Sequence, residues 1–158
     1  MNLFRLFNDL KKTEEFRARG KILSKLSGKQ SFSEEEINEI FAYKKLEGHS
    51  NPEASKITRK AFETKDVAEK FRMLKRLNGV NTLTASTILM FQNQFRYAEI
   101  NIKTWGVLKR EYGFKAPDKD VRSDYSLQEY MGYLEILSSI AAEYGMNLSD
   151  IEHVINVS

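Results

Sequence analysis

The stretch Leu77-Asn78-Gly79-Val80-Asn81-Thr82-Leu83-Thr84 decides how the chain is read. Before it lies a helix over about 65–77. After it come Leu83, Ala85, Ile88, Leu89 and Phe91, with little charge on any side. A helix that is apolar all round is a buried helix. Between the two, Gly79 permits a sharp turn and close approach by a phosphate, because no Cβ is in the way. Asn81 is the next most tolerant residue for a left-handed or bridging backbone. A helix starting directly after such a turn presents unpaired backbone N–H groups and the positive end of its dipole, an anion site. Taken alone, the pentapeptide reads more simply as a stop between two helices; its surroundings add the rest.

Outward from the turn, helical spacing dominates. Leu3, Phe4, Leu6, Phe7, Leu10, Phe16, Ile22, Leu23 and Leu26 predict one or two amphipathic helices ending near Gly28. Ser33 with Glu36 forms a capping-box pattern ahead of Ile37, Ile40, Phe41 and Leu46, predicting a helix to about Glu47. The loop Gly48-His49-Ser50-Asn51 leads to Pro52, suited to the first helical position after an Asn cap. On the C-terminal side, Asn101 caps a helix through Trp105 and Leu108 to Tyr112, and a Lys- and Asp-rich loop spans 115–124. Ser126 and Glu129 box a long helix ending at Gly145, and Ser149 with Glu152 opens a last short one. No alternating strand remains, so the fold class is all-α.

The chain has 158 residues, 41% of them apolar and none of them cysteine. That length suits one domain with its own core. We divide it into a basic amphipathic helical segment, 1–30, packed on a main helical domain, 31–158. The absence of cysteine excludes disulfides, thiolate metal sites and iron–sulfur clusters. No apolar run approaches the roughly 20 residues that cross a bilayer. Arg5, Asp9, Lys11 and Lys12 replace the apolar core of a signal peptide. The expectation is a cytoplasmic protein with no membrane partner. Net charge is only +3, but residues 1–30 and 55–76 each hold eight Lys/Arg against three Asp/Glu. Such segments suit phosphate backbones or acidic partners, and also plain solvated faces.

Read together, Leu77-Asn78-Gly79-Val80-Asn81, Thr84-Ala85-Ser86 and Ile100-Asn101-Ile102 before Trp105 resemble the core of the helix-hairpin-helix DNA glycosylases. That superfamily includes endonuclease III and adenine glycosylase. The likeness is carried by residues 77–108 and extends more weakly over about 33–158; the first 30 residues lie outside it. It implies a glycosylase-like helical domain with its hairpin at 77–84, whose amides at Gly79, Asn81, Leu83 and Thr84 bind a DNA phosphate. It also implies a backbone site for an alkali ion (K⁺ or Na⁺) at the carbonyls of Lys75, Leu77 and Val80, with no other cofactor. His49 and Asn51 would lie in the loop that approaches the minor groove and an extruded base.

The resemblance departs at the chemistry. Asn101 stands where the family has its catalytic aspartate, and an amide supplies neither charge nor useful basicity. Leu83 stands where bifunctional members carry a lysine nucleophile. As a plain N-cap, Asn101 is worth about 1 kcal/mol. The expectation is a DNA-binding protein without standard glycosylase or lyase activity. Lys70, Arg72, Lys75 and Arg76 would add phosphate contacts, with Lys56, Arg59 and Lys60 as further candidates. Two alternatives stay open. One is a base-excision repair glycosylase with a nonstandard site, using Glu99 or Asp124, although both read more simply as solvated surface acids. The other is a protein-interaction module, with residues 1–30 as docking arm or homodimer contact. Trp105, Tyr125, Tyr130 and Tyr133 are expected to pack between helices.

Overall fold

A computed structural model describes residues 2–158. Among them the regular structure is nine helices and no strand: α1 (Leu3–Leu10), α2 (Glu14–Leu26), α3 (Glu34–Tyr43), α4 (Ala54–Glu63), α5 (Val67–Leu74), α6 (Thr82–Gln92), α7 (Ile102–Glu111), α8 (Leu127–Tyr144) and α9 (Leu148–Val157). None is long and apolar enough to cross a membrane.

The uncharged α6 is the centre of the structure, buried from Ala85 to Phe91 on every side. It packs against α2, α3 and α5, while α4 lies along α5. A second group gathers on α9, which touches α1, α7 and α8. The two groups are tied through α2. Arg19 is buried there and binds Ser149 and, at 3.2 Å, Asp150 on α9. Leu3, Leu10, Ile22, Leu23 and Leu26 of the first two helices join the same core as the rest of the chain. In the second group Trp105 stacks on Tyr133 and meets Phe114 and Tyr125 edge-on, with its indole N–H given to the Pro117 carbonyl. The aromatic residues are therefore packing, as their helical spacing predicts.

Several boundaries differ from the sequence reading. The helix expected to reach Glu47 ends at Tyr43, because Lys45 turns left-handed (φ 59°) and the Lys45 and Leu46 amides bond back to Ala42 and Phe41. This is a Schellman closure with lysine in the place glycine normally takes. Pro52 does not open α4; that helix begins at Ala54 without a side-chain cap, because Asn51 is committed elsewhere. The segment placed at 65–77 is helical only over Val67–Leu74, with Asp66 as its cap. Ser149 does not open α9; Asn147 does, and Ser149 receives Arg19 instead. Both predicted capping boxes form, at Ser33/Glu36 and Ser126/Glu129.

Candidate functional site

The α5–α6 turn is held from below by the loop before α4. The Asn51 side chain is buried and brackets Asn78, accepting its amide at 2.7 Å and donating to its carbonyl at 3.2 Å. Asn78 in turn donates to the Ser50 carbonyl. The loop itself is anchored to α3. Glu34 accepts the Asn51 amide, and Asn38 exchanges two hydrogen bonds with His49. Asn51 is thus a structural staple rather than a free DNA contact. His49 meets Phe41 edge-on and lies against Gly79. A Cβ at Gly79 would fall 2.5 Å from the His49 Nε2. The missing Cβ that was read as room for a phosphate is room for an imidazole.

Gly79 has φ 81°, as the turn requires, whereas Asn81 is extended (φ −105°, ψ −174°) and acts as the N-cap of α6. Its side chain accepts both the Thr84 amide, at 2.9 Å, and the Thr84 hydroxyl. Thr84 is therefore withdrawn from the predicted set of phosphate-binding amides. The N–H groups of Gly79, Asn81, Thr82 and Leu83 have no hydrogen-bond partner among the described residues, so the set becomes these four. Thr82 was not singled out from the sequence. Its hydroxyl is buried and also without a partner. The first turn of α6 carries no acid. The Leu77 carbonyl accepts the Val80 amide at 3.3 Å, which leaves the Lys75 and Val80 carbonyls as the less committed members of the predicted cation set.

The four predicted cations divide. Lys75 and Arg76 are exposed and unpaired among the described residues. Arg72 forks onto Glu69 within its own helix. Lys70 is buried, with its ammonium on the Ala61 and Phe62 carbonyls at the end of α4. Burial, and then Arg96 nearby, lowers its pKa. Lys56, Arg59 and Lys60 are exposed on α4, where Arg59 reaches Gln30.

Asn101 caps α7, accepting the Lys103 amide at 3.0 Å. Beside it opens a cavity of about 190 Å³ lined by Tyr43, Lys44, Glu99, Asn101 and His153, among others. Glu99 is not the solvated acid its sequence context suggested: it is 8% exposed, meets Lys44 at 3.4 Å and accepts the Thr87 hydroxyl at 3.2 Å. Its backbone is held by Tyr133, whose hydroxyl donates to the Glu99 carbonyl, while Tyr130 does the same at Ala98. Behind it lies Glu152, missed by sequence reasoning because it follows an expected cap and looks like surface. Burial first, and the Glu99 carboxylate second, push its pKa up to about 8. The Thr104 hydroxyl donates to it at 2.9 Å. His153 is 3% exposed, its Nε2 has no partner, and burial pulls its pKa down to about 4. Asp124 is exposed in the 115–124 loop, bonded to the Tyr125 amide and remote from the residues lining this cavity.

Comparison of the chain with protein-family models, with curated proteins and with solved structures returns no match.

Proposed function

We propose that the protein binds the DNA backbone through the α5–α6 turn, used as a helix-hairpin-helix, and does so without standard glycosylase or lyase chemistry. The observation that carries this reading is the row of four unpartnered amides at Gly79, Asn81, Thr82 and Leu83, at the start of an 11-residue helix with no acid in its first turn. Such a terminus favours an oxyanion through its dipole and its unsatisfied donors together. Lys75 and Arg76, exposed on the preceding turn, add charge where a second phosphate would lie. The resemblance noted in the sequence supports the same assignment. Asn101 serves as a helix cap, and Leu83 has no amine.

Backbone contacts of this kind confer affinity and little sequence preference. Duplex binding is expected to fall steeply with salt. A Lys75→Gln/Arg76→Gln double variant is expected to lower the slope of log affinity against log salt by about 2. Absence of duplex binding at low salt, or affinity indifferent to salt, would remove the proposal.

The cavity beside Asn101 favours a second reading, an active glycosylase in which Glu99 takes the place of the aspartate. Its support is a buried carboxylate at an open cavity next to the expected position. Against it stands Lys44, which already neutralises much of the charge that Glu99 would offer a cationic transition state. Alkali-labile breaks in a lesion-bearing duplex, present with the wild type and absent with Glu99→Ala, would establish this second reading over the first.

A further inference from the structure

A second cavity, of about 400 Å³, opens at the other end of α5, between the α4–α5 turn, the Asn93–Tyr97 loop and α8. Three cations line it, Lys65, Lys70 and Arg96, against one acid, Glu63. Lys70 is 7% exposed, and its two carbonyl acceptors leave one of its three N–H donors unused. Those carbonyls explain how an ammonium is tolerated at the end of α4. Arg96, exposed and unpaired among the described residues, lines the same cavity and further disfavours the Lys70 charge. No carboxylate lies within ion-pairing distance of Lys65, Lys70 or Arg96 among the described residues; Glu69, the nearest acid along α5, is taken by Arg72. Tyr97 is 6% exposed and lines the same cavity, and its hydroxyl has no hydrogen-bond partner among the described residues. The remaining wall combines apolar Phe62, Val67, Met131 and Leu134 with polar Thr64, Gln92 and Asn93.

We propose that this cavity binds a small phosphate monoester carrying an apolar group, its phosphate held by Lys70, Arg96 and the Tyr97 hydroxyl. Like-charged groups left without a counter-ion and a hydroxyl free of protein partners are both satisfied by one dianionic oxyanion. Lys65, at the rim, adds long-range attraction. The apolar part of the wall favours an ester over inorganic phosphate, because the ester buries carbon where water otherwise lies. The proposal is independent of the hairpin reading, since none of its residues belongs to the α5–α6 turn.

The test is a titration of the full chain with phenyl phosphate, inorganic phosphate and benzoate, followed by amide chemical shifts. Phenyl phosphate is expected to saturate with a dissociation constant of about 1 mM or below, moving amides over 62–70 and 93–97, and to bind more tightly than the other two. Arg96→Gln, a change at an exposed and unpaired side chain, should weaken it about tenfold, and Tyr97→Phe, which keeps the ring, about threefold to tenfold. No saturation by about 10 mM, shifts centred on 79–84 instead, or affinity unchanged in Arg96→Gln would overturn the site. Benzoate binding equally well would overturn the phosphate assignment.

Discussion

Gly79 carries two constraints at once: a φ of 81° and the His49 ring pressed against the face where a Cβ would stand. The first disfavours a side chain, as left-handed conformations do for residues other than glycine, and the second requires the exposed His49 ring to move before a Cβ can be placed. Gly79→Ala is expected to destabilise the fold by about 2–3 kcal/mol in urea unfolding, part from the backbone and part from the clash. Adding His49→Ala should recover about 1 kcal/mol, leaving the backbone part. If the double variant were no more stable than Gly79→Ala alone, the contact would have no energetic weight. Asn101 offers a complementary case. Asn101→Ala should cost about 1 kcal/mol by removing the α7 cap, while Asn101→Asp should keep it. A loss of the same size in both would mean that the cap is not what Asn101 contributes. The glycine was legible in the sequence as a turn. Its partner was not, because His49 precedes it by 30 positions and no local pattern links a loop imidazole to a distant glycine.

Among the elements, those with strong local chemistry follow the sequence closely. Ser33/Glu36 and Ser126/Glu129 place α3 and α8, Gly145 ends α8 in the left-handed conformation, and the uncharged run after Gly79 becomes the central α6. The misplaced boundaries lie where long-range partners override local preference. Asn51 looks like a cap for Pro52 but is held by Asn78, and Ser149 looks like a cap but is held by Arg19. The early end of α3 has a different cause, since Lys45 adopts a conformation that glycine takes far more readily. Lys45→Gly is therefore expected to stabilise the chain by about 0.5–1 kcal/mol, read as a higher urea midpoint at unchanged slope. A lower midpoint would show that the Lys45 side chain, on the wall of the cavity beside Asn101, is itself a stabilising contact.

At the scale of the whole molecule, the α6 group and the α9 group meet around Glu99, Glu152 and His153, and protonation of Glu152 and His153 links folding to pH. Glu152, raised to about 8, keeps a proton in the folded chain that the unfolded chain releases near 4.5, so its contribution falls as pH rises through that window. His153, lowered to about 4 by burial, then Arg19 and Lys44, gives the opposite slope between about 4 and 6.5. The two oppose each other below 6.5, and the decline emerges above it. Stability is expected to drop on the order of 1 kcal/mol per pH unit between 6.5 and 8, and Glu152→Gln should abolish that drop. An equal decline in the variant would place the titration elsewhere. The central claim, however, concerns the turn on which the α6 group presents its free amides. It is tested most directly by adding a short duplex to the isotopically labelled protein at low salt and following every backbone amide. The account predicts that Gly79, Asn81, Thr82 and Leu83 shift first and furthest, with Thr84 shielded by the Asn81 cap. Shifts confined to other surfaces, with these four amides unmoved at saturation, would contradict it.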